Sequence, residues 1–277
     1  MSDVSPPQRR RQILDLLASS DGPVSVETLG VRLDVSPVTV RRDLDLLERS
    51  GAVIRTHGGA MINTLHKERP VGERHSTNAL AKAEIAEAAA ALVLPGQTVF
   101  LDAGTTTSRI AAELAGISGL TLVTSGVNVL AVLAEADSDA TVIATGGTLR
   151  RVNQALLGPF SDQVVESIYA DIAFIGTDCV DVHRGLSSRT PEQNALKALM
   201  MRQSRRTVVA ADSSKVGATW ATHWFTPPGQ VELLTDSGTD PALLREFAES
   251  PHWTVRHPDD STPATPADDH RRNERHA

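Results

Sequence analysis

Cysteine is almost absent: Cys179 stands alone in 277 residues. A single thiol can neither close an intrachain disulfide nor build a thiolate metal site, so a reducing, cytoplasmic setting is expected. Aromatic residues make up only 3%, which leaves the core to aliphatic side chains and alanine. No run is long and apolar enough to span a membrane. The stretch from Met1 to Arg11 is polar and basic, with no apolar signal core behind it. The nine histidines are scattered without the paired spacing of a metal site, so neither metal nor cofactor is expected. Surplus positive charge is missing too, the formal net charge being −7. Even residues 1–61 hold as many acids as arginines, eight of each. Any basic surface there must come from arrangement, such as the Arg9–Arg11 run and the Arg41–Arg42 pair.

What is present is ordinary for a soluble globular chain: 40% hydrophobic and 22% charged residues, at a length that allows more than one domain. The pattern divides the chain into a helical N-terminal domain over residues 8–63, a polar linker over 64–77 and an α/β domain over 78–236. An extension of that domain covers 237–257, and a tail poor in apolar residues, expected to be disordered, covers 258–277. In the α/β part, short apolar runs read as buried parallel strands: Thr98–Leu101, Leu120–Val123, Thr141–Ala144, Ile172–Ile175, Thr207–Ala210 and Val231–Leu234. They alternate with helical stretches at Lys82–Leu94, Thr107–Leu114, Val127–Glu135 and Pro191–Arg202, which predicts a parallel sheet covered by helices.

The N-terminal part predicts three helices and a hairpin. Ile13, Leu14, Leu16 and Leu17 give the first helix an apolar face. Ser25 is placed to cap the second, and Ser36 with Pro37 to open the third. In the third helix Val40, Leu44 and Leu47 recur at i, i+4 and i+7 and point inward. Val38, Thr39, Arg41 and Arg42 then face out, with small side chains first and two guanidinium groups behind. Such a face can enter a major groove and reach guanine edges or phosphates. Val53 to Met61, with Gly58-Gly59 at its centre, reads as a β-hairpin wing that would carry Arg55 and His57 near the DNA backbone. The alternative is a small bundle whose Arg41–Arg42 pair is only a solvated face. The capped third helix, the tight turn before it and the hairpin after it favour DNA. The expected contacts are Ser36, Pro37, Val38, Thr39, Arg41, Arg42, Arg55, His57 and Gly58.

A second constellation lies in the α/β part. Asp102-Ala-Gly104-Thr105-Thr106-Thr107 follows a strand and opens a helix, where backbone N–H groups and threonine hydroxyls suit a phosphate. A threonine run can equally be a plain cap. Thr124-Ser125-Gly126, Gly146-Gly147, Gly176-Thr177-Asp178 and Asp212-Ser-Ser-Lys215 also end strands, and ligands of parallel sheets sit beyond those ends. Lys215 would then charge-match a phosphate, while Asp102 or Asp178 would accept from sugar hydroxyls. Taken singly, Lys215 is better explained as a solvated loop lysine, and Asp178 and Asp212 have the alternative of turn or cap acids. Trp220, Trp224 and Trp253 read as packing groups, and Cys179 as an inert thiol.

Val24-Ser-Val-Glu-Thr-Leu, Val35-Ser-Pro-Val-Thr-Val-Arg-Arg-Asp-Leu and Gly51-Ala-Val-Ile-Arg-Thr-His-Gly-Gly-Ala resemble the DeoR family of bacterial transcription regulators. The resemblance runs on through Leu101-Asp-Ala-Gly-Thr-Thr-Thr, Ala144-Thr-Gly-Gly-Thr-Leu, Asp171-Ile-Ala-Phe-Ile-Gly and Ala211-Asp-Ser-Ser-Lys, to about residue 236. It implies a winged helix-turn-helix followed by a sensor domain similar in fold to sugar-phosphate isomerases and CoA-transferases. It also implies a phosphorylated-sugar effector, a double-stranded DNA operator and homo-oligomers, with repression of carbohydrate genes as the output. The effector site then comprises Asp102, Gly104, Thr105, Thr106, Thr107, Thr124, Ser125, Gly146, Gly147, Gly176, Asp178 and Lys215. One departure stands out: the family commonly has Thr-Asn-Ser where this chain has Thr124-Ser125-Gly126. The competing reading is an isomerase fused to a DNA-binding module, with Asp178 and Lys215 as acid–base groups and Glu192 as the nearest candidate for the carbon base.

Overall fold

The computed structural model of the chain describes residues 6–18, 20, 23–49, 52–56, 58–62, 70–219, 221 and 223–258. The N-terminal unit runs α1 (Pro6–Ala18), β1 (Val24–Ser25), α2 (Val26–Leu33), α3 (Pro37–Arg49), β2 (Val53–Thr56) and β3 (Gly59–Ile62). Its core is the expected one, with Ile13, Leu17, Leu29, Val40 and Leu44 fully buried. Both predicted caps form: Ser25 Oγ accepts from Thr28 N at 3.1 Å, and Ser36 Oγ from Thr39 N at 3.2 Å. Between α2 and α3 the chain turns on Asp34 in the left-handed region (φ 52°), closed by Val35 N donating to Gly30 O.

The β2–β3 hairpin gains a third strand that the sequence pattern did not reveal. β1 pairs antiparallel with β3, so the sheet order is β1-β3-β2. Only glycine permits this at position 59, because a Cβ there would lie 2.3 Å from Val24 O. The wing is thereby anchored at the start of α2 as well as after α3.

The second unit opens with α4 (Val71–Ser76), inside the stretch read as linker. That run is too short to show helical periodicity, yet Val71 is buried and its N–H donates to Val152 O. Next come α5 (Ala79–Ala90), β4 (Thr98–Leu101), α6 (Thr105–Leu114), β5 (Thr121–Thr124), α7 (Val127–Glu135) and β6 (Thr141–Ala144). A hairpin of β7 (Thr148–Arg150) and β8 (Ala155–Leu157) leads to α8 (Pro159–Glu166) and β9 (Ala170–Gly176). β10 (Val180–Asp181), β11 (Gly185–Ser188), α9 (Pro191–Arg202), β12 (Ser204–Ala210) and β13 (His223–Phe225) follow. The chain then runs through β14 (Val231–Leu234), α10 (Pro241–Glu249) and β15 (Trp253–Arg256). β10, β11 and β13 form a small antiparallel sheet.

Seven strands make one parallel sheet in the order β15-β14-β12-β9-β4-β5-β6. All six expected strands are in it, the second moved by one residue to Thr121–Thr124. The seventh, β15, comes from the expected extension. Its Trp253 packs edge-on against Phe247 of α10 with ring centroids 5.0 Å apart.

The strand order reverses between β4 and β9. From β4 the chain moves outward to β5 and β6, then returns to lay β9 on the other side of β4 and proceeds to β12, β14 and β15. Right-handed crossovers therefore put the helices of the two halves on opposite faces. α5, α6 and α7 cover one face around Ile85, Ile110, Leu114 and Val129. α8, α9 and α10 cover the other around Val165, Leu196, Met200 and Phe247. Such a reversal leaves a crevice beyond the carboxyl ends of the two central strands. Among the described residues, no helix is long and apolar enough to cross a membrane. The tail expected from 258 onward lies outside the described residues, apart from Pro258.

Candidate functional site

At that crevice the structure holds a cavity of about 400 Å³. Its lining includes seven of the residues named from sequence: Gly104, Thr105, Thr106, Thr107, Gly176, Asp178 and Lys215. The turn after β4 supplies the first four. No side chain among the described residues caps α6, so its first N–H groups remain open to a ligand. Gly104 O is held from behind by Asn128 Nδ2 at 2.8 Å and by Thr107 Oγ1 at 3.0 Å. The buried Thr106 Oγ1 has no hydrogen-bond partner among the described residues.

Asp102 sits beneath the cavity, almost wholly buried, accepting from Gly176 N at 3.0 Å and from Lys197 Nζ. Lys197 also donates to Gly176 O at 2.8 Å. The pair therefore clamps the ends of β4 and β9 together and forms the floor. Thr124, Ser125, Gly146 and Gly147 stay outside the lining. Thr124 and Ser125 are fully buried behind it, and a Cβ on Gly147 would lie 2.6 Å from Leu157 O in the β7–β8 hairpin. The departure at Gly126 has a packing reason. A Cβ there would lie 2.9 Å from Ala103 Cα, so the loops after β4 and β5 approach more closely than a serine allows.

Sequence reasoning missed the remaining cations. Arg74 comes from α4, Lys82 from α5, Arg189 from the end of β11 and Lys197 from α9. The one available signal was Lys197, whose α9 neighbours Leu196 and Met200 mark a buried helix. With Lys215, five cations line a cavity whose acids are Asp178, Asp212 and, below, Asp102. Asp178 stands 3.6 Å from both Arg74 and Arg189, and Lys215 is 3.6 Å from Asp212.

The positive excess appears in the titrating groups. Burial and then Lys215 push Lys82 down to about 8, against a partial offset from Asp212. Burial, followed by Arg109, Lys82 and Arg74, holds His75 below its usual range. Burial alone would raise the Asp212 carboxyl, but Lys215 and hydrogen bonds from Ser214 and Asn78 outweigh it and hold it low. An anion entering here would relieve repulsion among cations. Cys179 is buried and its thiol is pushed up to about 11, chiefly by burial, which leaves it unreactive at neutral pH.

In the N-terminal unit α3 presents the predicted polarity. Val38 is 71% exposed, Arg41 and Arg42 are exposed, and Val40, Leu44 and Leu47 are buried. Ser36, Pro37 and Gly58 are exposed and Thr39 is half-buried. Arg41 reaches Glu27 only at 4.0 Å across open surface. Half-buried Arg55 stands 3.9 Å from Asp45 and links wing to helix. His57 lies outside the described residues. Within the Arg9–Arg11 run, Arg9 and Arg10 do not provide the basic surface expected of them, and the side chain of Arg11 lies outside the described residues. Asp43 is buried in α3, accepts from Arg9 Nε at 2.6 Å and stands 3.5 Å from Arg10, so these two arginines turn inward to neutralise it.

Residues 9–65 match the model of the DeoR-like helix-turn-helix domain, and residues 77–237 that of the DeoR C-terminal sensor domain. The chain belongs to the DeoR family. An HTH-type transcriptional regulator GlpR from Haloferax volcanii is 36% identical to this DeoR-family chain over 90% of it and 97% of the relative. A putative aga operon transcriptional repressor from Escherichia coli O157:H7 is 36% identical over 75% of the chain and 78% of the relative. A lactose phosphotransferase system repressor from Lactococcus lactis is 27% identical over 87% and 95%. Ribose 5-phosphate isomerase A from Methanocaldococcus jannaschii overlaps half of the chain and 55% of its own at a TM-score of 0.37 and 17% identity.

The chain is accordingly a DNA-binding transcription regulator and not an enzyme. Glu192, named from the sequence as the nearest carbon base, is exposed on α9 and is not among the cavity's lining residues.

Proposed function

We propose that the chain is a cytoplasmic, homo-oligomeric repressor of carbohydrate-utilisation genes, released from or driven onto its operator by a phosphorylated sugar. The observation that carries the effector class is the uncapped start of α6, with unpartnered Thr106 Oγ1, facing a cavity lined by five cations. The relatives named for an aga operon and for a lactose phosphotransferase system support carbohydrate genes as the target. Operator contacts are assigned to Ser36, Pro37, Val38, Thr39, Arg41, Arg42, Arg55, His57 and Gly58, and paired half-sites call for paired chains.

The cavity wall also suits a switch. Arg74 and Thr77 lie on the segment that enters the sensor from the linker. Lys82 Nζ holds their carbonyl oxygens at 2.7 and 2.5 Å. An anion that draws on Arg74 and Lys82 favours one placement of α4 over another, which is the differential affinity any effector needs. The test is to select bound sites from random duplex DNA with the full chain, then follow operator affinity by fluorescence anisotropy against a panel of sugar phosphates. Sequence-selective binding shifted by at least one phosphorylated sugar is expected. Binding that no phosphorylated sugar shifts would overturn the effector reading.

A further inference from the structure

The cavity straddles the carboxyl edge of the sheet, and its two sides differ chemically. On the side of α5 and α6, helix α6 starts without a side-chain cap, and Lys82 and Lys215 face the single acid Asp212. On the side of α9, the helix start is closed: Thr190 Oγ1 accepts from Gln193 N. There Lys197 is matched by Asp102 and Arg189 by Asp178, which also meets Arg74 reaching across from α4, the helix packed on α6. Open N–H groups and spare positive charge thus lie on one side of the sheet, and balanced charge on the other.

The balanced side nevertheless carries two cavity-lining oxygen atoms that lack a hydrogen-bond partner among the described residues. Ser188 Oγ, at the end of β11, and Gln193 Oε1, one turn before Lys197 on α9, are both buried in residues at least nine-tenths hidden from solvent, and both residues line the cavity. A buried oxygen without a partner is costly, and one lining a cavity is satisfied by whatever fills it. The Gln193 carbonyl oxygen accepts hydrogen bonds only, so it requires a donor such as a hydroxyl and repels an anion.

Building on the reading of the cavity as a phosphorylated-sugar site, we infer that the effector lies across the sheet edge in one direction. Its phosphate sits at the start of α6 and its hydroxylated carbon chain runs toward α9. Gln193 and Ser188 read hydroxyl groups there and decide which phosphate ester is accepted. The Lys197–Asp102 pair forms the floor between the two halves.

Calorimetric titration of the full chain with inorganic phosphate, propyl phosphate, glycerol 3-phosphate and ribose 5-phosphate tests this. The wild-type chain should bind the hydroxylated esters roughly 10- to 100-fold more tightly than propyl phosphate, the range expected when a buried acceptor is left unpaired. Gln193→Met, which keeps the length of the side chain, and Ser188→Ala should shrink that preference and leave the affinity for inorganic phosphate unchanged. Lys215→Ala should weaken all four ligands alike. Should Gln193→Met fail to fold, Gln193→Glu, which retains an acceptor oxygen, must preserve the preference. A wild-type chain indifferent to hydroxyl groups overturns the inference, as do variants that lose phosphate and esters in equal proportion. A wild-type chain that binds none of the phosphates overturns instead the phosphate reading on which the inference stands.

Discussion

Replacing Lys197 by methionine tests whether the cavity floor is a mutual, desolvated ion pair. The side chains of Lys197 and Asp102 are 8% and 6% exposed, and methionine nearly reproduces the lysine stem. Packing is therefore retained while the ammonium is lost. Asp102 is then left buried with Gly176 N–H as its remaining hydrogen-bond donor among the described residues, and Gly176 O loses its contact from Nζ. Removing one partner of a buried pair costs about 3–5 kcal/mol. At roughly 2–4 °C per kcal/mol for a domain of this size, Tm should fall by roughly 6–20 °C. All three tryptophans lie in the sensor part, so their emission during urea unfolding reports that transition and not the N-terminal unit. Asp102→Asn combined with Lys197→Met removes both charges and should recover at least half of the loss. A Lys197→Met chain within about 1 kcal/mol of wild type, or a double variant that recovers nothing, would refute the pairing.

Other outcomes follow from the same geometry. Arg42→Ala should lower operator affinity at least about tenfold, as loss of a bidentate base or phosphate contact does, while Tm stays put because the side chain is exposed; unchanged anisotropy titrations would contradict the assignment of α3. Lys82, at about 8, is charged in folded and unfolded chains below that pH. Between about 8 and 10.5 the unfolded chain binds the extra proton, so this group's contribution to stability rises across that window. A bound phosphate favours the ammonium, so effector affinity should fall by up to about tenfold per pH unit above 8. Lys82→Met should abolish that slope in titrations from pH 7 to 9.5, and an identical slope in the variant would exclude Lys82 as its source. Arg74→Ala should leave operator binding intact without effector but shrink the shift that effector produces; a full shift would show that α4 does not couple the two.

The features legible in the chain were local ones. Caps at Ser25 and Ser36, Pro37 at the opening of α3, the i, i+4, i+7 recurrence of Val40, Leu44 and Leu47, and the short apolar strands each depend on neighbours a few residues away. A helix or strand responds to such neighbours wherever it ends up. The threonine turn after β4 belongs to the same class, since a strand leading into a helix start is visible in a dozen residues. β1 escaped notice because two residues carry no periodicity, and α4 because six carry too little.

Tertiary structure decided which charges meet. Asp102 and Lys197 are 95 positions apart, and Asp43 answers to Arg9 and Arg10 more than thirty positions upstream. Neither pairing follows from local pattern. The first exists because β9 returns to lie beside β4 and brings Gly176 and α9 with it, a choice of strand order made by the burial of both sheet faces together. The same return placed Arg74, Lys82, Arg189 and Lys215 around one cavity, although the net charge of the chain is negative. Sequence determined the elements and the two places where backbone N–H groups or a helix face stood ready. Packing of distant segments decided which side chains surround them, because ion pairs form between neighbours in space and the order of strands in a sheet is a property of the whole domain.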